Sequence, residues 1–140
     1  LAMAPGGGRA DTAATMIGYT TIGTNDLARA SAFYDALFAE FGAKRMMEFP
    51  QGIFWGTGFD KPMFGVLTPH DGNKACLGNG SMVALAGSDP AMVQRVYAKA
   101  LELGGTDEGP PGPRGDQGFY AGYFRDPEGN KLNCFCMGAG

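Results

Sequence analysis

A single histidine, His70, stands in a chain of 140 residues, so a centre built on several imidazoles is excluded at the outset. Cysteine is almost as scarce. Cys76, Cys134 and Cys136 are an odd three, which gives no disulfide framework and, with no signal-peptide pattern, leads to an expectation of reduced thiols in the cytoplasm. Basic charge is short as well: Lys and Arg number 11 against 14 Asp and Glu, a formal net charge of -3, and nucleic acid demands a basic stripe. No apolar run approaches the length that crosses a membrane. The glycines at Gly56 and Gly58, or at Gly78 and Gly80, do not precede a helix with phosphate-binding spacing, which removes a nucleotide loop. Nucleic acid, membrane and nucleotide all drop out as expected partners.

What is present suits a globular core: 44% hydrophobic and 18% charged residues, enough for one domain that buries roughly two thirds of its unfolded surface. Residues 1–15, with Gly6-Gly7-Gly8 and no periodicity, read as a flexible leader or tag remnant, and the folded domain is expected over 16–137. Within it one unit is written twice at an offset of 63 residues. Tyr19-Thr20-Thr21-Ile22 answers to Met82-Val83-Ala84-Leu85, Asp26 to Asp89, and Gly42 to Gly105. A repeat of that length is a duplicated supersecondary unit.

The first copy, residues 16–68, opens on a Thr- and Ile-rich strand that stops at the capping cluster Thr24-Asn25-Asp26. Leu27, Ala30, Phe33, Tyr34, Leu37, Phe38 and Phe41 then recur at helical spacing. Gly42 closes that helix, and strands are predicted at 44–49, 52–57 and 62–68, giving a βαβββ module. Residues 69–80, with Pro69, Asp71-Gly72-Asn73 and Gly78-Asn79-Gly80, form a linker. The second copy, 81–137, repeats the order: a strand at 81–86, a helix opened by Asp89-Pro90, a weak strand near 106–109, a loop at 109–115, and strands at 119–124 and 131–137 joined by Asp126-Pro127-Glu128-Gly129-Asn130. The fold class is α+β, two tandem βαβββ modules curving around a cup with the helices outside.

Two such modules, the opening Thr24-Asn25-Asp26-Leu27 with Phe33-Tyr34 after it, and the late Tyr123-Phe124-Arg125-Asp126-Pro127-Glu128-Gly129-Asn130 resemble the vicinal oxygen chelate superfamily, which includes glyoxalase I, extradiol dioxygenases and bleomycin and fosfomycin resistance proteins. The resemblance covers residues 16–137. It implies small-molecule chemistry or binding in the cup and pairing into a homodimer. It also implies, in metal-dependent members, a His in the first strand of each module and a carboxylate in the last. Tyr19, Met82 and Asn133 occupy those places here, and Met63 to Thr68, where a fourth ligand belongs, contains no His, Glu, Asp or Cys. A phenol, a thioether and a carboxamide offer a hard divalent ion no neutralising charge, so no metal and no other cofactor is expected.

Strand alternation divides the side chains between the cup and the layer beneath the helices. If Arg125 pairs with Lys131, then Phe124 and Leu132 go to the helix side, and Tyr123 and Asn133 go to the cup with Phe119, Ala121 and Phe135. Met82 and Ala84 join them, as do Tyr19 and Thr21 from the first module and either Trp55 or Phe54, which a one-residue slip exchanges. Arg114 sits in a loop near the expected cup mouth, where it is a candidate partner for an anionic group. The predicted site is thus an aromatic, neutral pocket whose polar groups are Tyr19, Thr21, Tyr123 and Asn133. Cys134 and Cys136 share the helix side of their strand, which is core filling.

Three readings follow. The first is a metal-free, glyoxalase-like protein that binds a small, partly apolar molecule, with Tyr19 and Tyr123 as candidate proton donors and Asn133 as an oxyanion partner. The second is a metal-dependent lyase or dioxygenase, lactoylglutathione-lyase-like, whose ligands are displaced to Glu48, Asp60, His70 and Asp71. The third is a drug-sequestering protein of the bleomycin-resistance kind, for which -3 is a weakly acidic surface.

Overall fold

A computed structural model describes residues 16–138 of the chain. Its elements run β1 (Tyr19–Gly23), α1 (Leu27–Ala39), β2 (Lys44–Phe49), β3 (Gly52–Gly56), β4 (Met63–Leu67), β5 (Val83–Ala86), α2 (Pro90–Glu102), β6 (Thr106–Pro113), β7 (Tyr120–Arg125) and β8 (Lys131–Cys136). They form two four-stranded sheets, in the orders β1-β4-β3-β2 and β5-β8-β7-β6. In each sheet the first pair is parallel and the others are antiparallel. The two modules therefore share one topology, and the reading of the fold as duplicated βαβββ holds.

Each helix starts where its cap chemistry puts it. Asp26 accepts the amide N–H of Arg29 at 3.0 Å and Asp89 that of Met92 at 2.9 Å, which satisfies one of the orphan donors of each first turn. Gly42, at φ +71°, takes the left-handed residue after α1. The apolar face of α1 buries Phe33, Tyr34, Leu37 and Phe38 against Ile53, Trp55, Phe64 and Val66, and α2 buries Val93, Val96 and Ala100 among Phe124, Leu132 and Cys134. At about 1.5–3 kcal/mol per large apolar side chain, these contacts dominate the stability of each half.

The hairpin turn that ends β7 joins the halves. Asp126 Oδ1 accepts the backbone N–H groups of Glu128, Gly129 and Asn130 at 3.0, 2.9 and 2.8 Å. So fixed, the turn offers Glu128 to the first module, where its carboxylate accepts from Thr24 Oγ1 at 2.8 Å, from the Asn25 backbone N–H and side chain at 3.0 Å each, and from Arg29 at 3.1 Å. Asn130 Nδ2 donates to the Gly23 carbonyl at 3.0 Å.

Two boundaries differ from the sequence reading. β5 begins at Val83 rather than residue 81. β6 runs on to Pro113 through the segment expected to be a loop. It does so because it is the outermost strand of its sheet, where Pro110, Pro111 and Pro113 need no outward N–H partner, and because two register shifts absorb the irregular pairing. The ends of β2, β3, β4, β7 and β8 lie within a residue or two of their expected positions.

Candidate functional site

Each sheet turns one face to the helices and leaves the other uncovered by them. On the first sheet, Thr20, Ile22, Phe64 and Val66 go inward, so Tyr19, Thr21 and Gly65 go outward. On the second, Phe124, Leu132 and Cys134 go inward. Tyr123 and Asn133 face outward as cross-strand partners, with Phe124 opposite Leu132 and Arg125 opposite Lys131. That register is the one expected from the sequence.

The outer face of the second sheet gathers most of the anticipated residues. Tyr123 carries the Arg114 guanidinium 5.3 Å and the Lys131 ammonium 5.5 Å from its ring centroid. Arg114 comes from the end of β6 and Lys131 from β8, the strands on either side of β7. Asn133, 2% exposed, sits across from Tyr123, and its Nδ2 lies 3.8 Å from the Met82 sulfur. Its Oδ1 is buried with no hydrogen-bond partner. One position further along the same face, Phe119 stacks on Phe135 with centroids 5.5 Å apart and planes 23° from parallel. Met82 and Lys131 also border a hollow of about 300 Å³ that Thr21 reaches from the first module.

The first module repeats this arrangement in closed form. Gly65 pairs with Thr21 and Phe54 just as Asn133 pairs with Ala84 and Tyr123. Gly65 is therefore the counterpart of Asn133, and Phe54 that of Tyr123. A Cβ on Gly65 would lie 2.5 Å from the Phe54 ring, so Phe54 fills the space that a side chain occupies in the other half. Tyr19 meets Phe54 edge-on at 5.3 Å. Trp55 is not on this face. It packs beneath α1 and donates from Nε1 to Asp35 at 2.9 Å, because an indole N–H buried to 1% exposure needs an acceptor that only the helix side supplies. Phe54 takes the outward position instead.

Sequence reasoning missed Lys131, whose alternation with Asn133 along β8 places it on the outer face. This face is consequently not neutral. It also left the fourth ligand position unassigned, and the strand pairing identifies that position as Gly65. Tyr19, Met82, Asn133 and Gly65 offer no imidazole and no carboxylate, a donor set that does not fit a hard divalent ion. The displaced alternatives do not gather: Glu48 pairs with Arg45 and Asp60 with Lys61, and His70 and Asp71 are exposed in the linker. Among the described residues no three of His, Cys, Asp and Glu come together. Cys134 has its thiol pushed up to about 12, first by burial and then by the neighbouring Cys136, which leaves it a neutral core side chain.

Between the bare edges of β1 and β5 runs a larger cleft of about 630 Å³, walled by Phe38, Phe41, Phe64, Met82 and Leu85 among others. It touches the cluster on the second sheet only through Met82.

This architecture is that of a known superfamily. A family model described as the Glyoxalase/Bleomycin resistance protein/Dioxygenase superfamily matches residues 16–134, and the chain belongs to it. Among solved structures it is similar to a glyoxalase/bleomycin resistance protein from Albidiferax ferrireducens T118, at 33% identity and a TM-score of 0.81, over 89% of this chain and 100% of that one. A glyoxalase/bleomycin resistance protein/dioxygenase family enzyme from Burkholderia phytofirmans PsJN matches at 20% identity and a TM-score of 0.69, over 86% and 97% of the two chains. A lactoylglutathione lyase from Agrobacterium tumefaciens matches at 23% identity and a TM-score of 0.64, over 87% and 93%. The last two likenesses are of fold alone. A comparison with curated proteins finds no match.

Proposed function

We propose that this protein binds a small, partly apolar molecule on the outer face of its second sheet, at Tyr123, Asn133, Met82, Phe119, Phe135 and Arg114, without a metal ion. The observation that carries this reading is the Asn133 carboxamide, whose Oδ1 is buried and unpaired. A buried amide oxygen left without a donor costs about 1–3 kcal/mol, and a bound molecule that brings a donor recovers it. Tyr123 and the stacked Phe119 and Phe135 supply the apolar contact area such a site needs. Thr21 contributes from the first module through the hollow it shares with Met82. The three unpaired cysteines suit a reducing compartment such as the cytoplasm. Tyr19 and Phe49, 60% and 53% exposed, suit pairing with a second copy of the chain.

The test is methionine-methyl NMR on the whole chain with a panel of uncharged aromatic and aliphatic fragments. Met82 reports on the site, and Met92, against the α2 core, is the internal control. We expect fragments that move the Met82 methyl and leave Met92 in place. A panel that moves neither would overturn the reading. So would zinc, nickel, iron or manganese that binds near one per chain and raises the melting temperature, since that is the mass-action signature of a native metal site.

A further inference from the structure

We infer that the molecule taken by this site is a small organic anion, a carboxylate on a flat apolar body that also carries one hydroxyl or N–H donor. This rests on the reading above and names its substrate class. Arg114 is the one arginine among the described residues that no carboxylate neutralises: Arg29, Arg45, Arg95 and Arg125 all pair with Glu or Asp within 4 Å. Lys131 has no acidic partner among the described residues either. Two unneutralised cations set against one tyrosine ring repel each other, and the ring quadrupole offsets only part of that. An anion beside either cation offsets the repulsion and adds charge-assisted hydrogen bonds.

The guanidinium is also held ready. Arg114 Nη1 donates to the carbonyl oxygens of Gly112 at 2.9 Å and Pro113 at 3.4 Å, and Nη2 to that of Pro110 at 2.8 Å. Three of its five N–H groups are spent on a proline-stiffened strand end, which fixes the head group over Tyr123. Nε and one Nη2 hydrogen stay unspent among the described residues. Lys131 keeps all three ammonium hydrogens, and the Tyr123 hydroxyl also has no protein partner there. Against these donors the site sets one buried unpaired acceptor, Asn133 Oδ1. The complement of such a surface is rich in acceptors, carries negative charge and has a single donor. Phe119 and Phe135, stacked on each other and half-buried, offer the flat apolar surface on which such a body rests.

The test compares benzoate, its uncharged isostere benzamide, and 3-hydroxybenzoate, each titrated against the whole protein at low and high salt with the Met82 methyl as readout. We expect benzoate to bind about tenfold or more tightly than benzamide, with the advantage shrinking as salt rises. Lys131→Gln should lose about that factor for benzoate and leave benzamide unchanged. Arg114→Gln should also weaken benzoate; because it gives up the loop bonds and belongs to the binding set itself, Lys131→Gln is the decisive variant and both melting temperatures are recorded. 3-Hydroxybenzoate should exceed benzoate by a margin that vanishes in Asn133→Leu. Equal binding of benzoate and benzamide, or wild-type benzoate affinity in both charge variants, overturns the anion assignment and leaves the neutral site standing. Failure of every compound, charged or uncharged, to move Met82 overturns both.

Discussion

The Tyr34 hydroxyl donates a 2.7 Å hydrogen bond to Asp126 Oδ2 across 92 residues of chain. It joins the buried face of α1 to the hairpin turn of the other module, and it lies at the one point where Asp126 also organises its own turn. Tyr34 is fully buried. Burial first, then the Asp126 charge and hydrogen bond, hold its phenol well above the usual value of 10. The neutral phenol is therefore the form the fold requires. Stability from this contact is complete below pH 10 and drains away above it.

Tyr34→Phe should accordingly lower the melting temperature by several degrees at neutral pH, on the order of 1–3 kcal/mol for a buried hydrogen bond to a charged group. In the wild type, phenolate absorbance should show Tyr97, pushed up to about 12 by its bond to Asp107, ionising while the protein is still folded. Tyr34 should ionise only as the protein unfolds. A Tyr34 phenol that ionises near pH 10 in the folded protein would contradict this burial.

Glu128 gives the opposite dependence on pH. Desolvation pushes its carboxyl up, but the Asn25 backbone N–H, the Thr24 hydroxyl, the Asn25 side chain and Arg29 together outweigh that and leave it below its ordinary value. Its stabilisation is thus present above pH 4.5 and fades as the pH falls through the lowered value. Urea midpoints of the wild type and Glu128→Gln should be well separated at pH 7 and converge toward pH 3. Parallel curves over that range would mean that the carboxylate does not clamp the two modules.

Gly65→Ala should destabilise the protein by about 1–3 kcal/mol, since the new methyl overlaps the Phe54 ring and must displace it. Pairing it with Phe54→Leu should recover much of the loss. Thermal denaturation of the single and double variants is sufficient, and simple additivity would show that the two positions do not share that space.

Asn133→Leu should raise the melting temperature of the ligand-free protein by a few degrees, because a buried acceptor without a partner is exchanged for a side chain of similar volume that needs none. The same variant should bind donor-bearing molecules at Met82 no better than their donor-free analogues. A fall in stability would indicate that an ordered water already satisfies the carboxamide.

The parts legible in the sequence were those fixed by local chemistry. The caps Asp26 and Asp89 and the Asp126-to-Asn130 turn carry their geometry in their residue types, and the turn set the pairing of Tyr123 with Asn133. β3 was ambiguous because Gly52 to Gly56 is buried on both faces, so apolar alternation could not say whether Trp55 or Phe54 pointed out. The acceptor that decides it, Asp35, lies on another element. Only the second half of β6 reads as a loop in the sequence, because proline signals a break, whereas at a sheet edge its missing N–H costs little. Lys131 escaped notice because a lysine beside a turn is ordinarily solvated, and only the Tyr123 ring between it and Arg114 gives it a neighbour worth recording.

The counterpart relation between Gly65 with Phe54 and Asn133 with Tyr123 has a practical bearing. One polypeptide contains both an experiment and its control. A small molecule that recognises this strand geometry in general should perturb the two halves alike, whereas one that recognises the carboxamide and the cations should perturb only the second. Gly65→Asn together with Phe54→Tyr asks how few changes turn a sealed half into a receptive one, with the backbone held constant by the duplication itself.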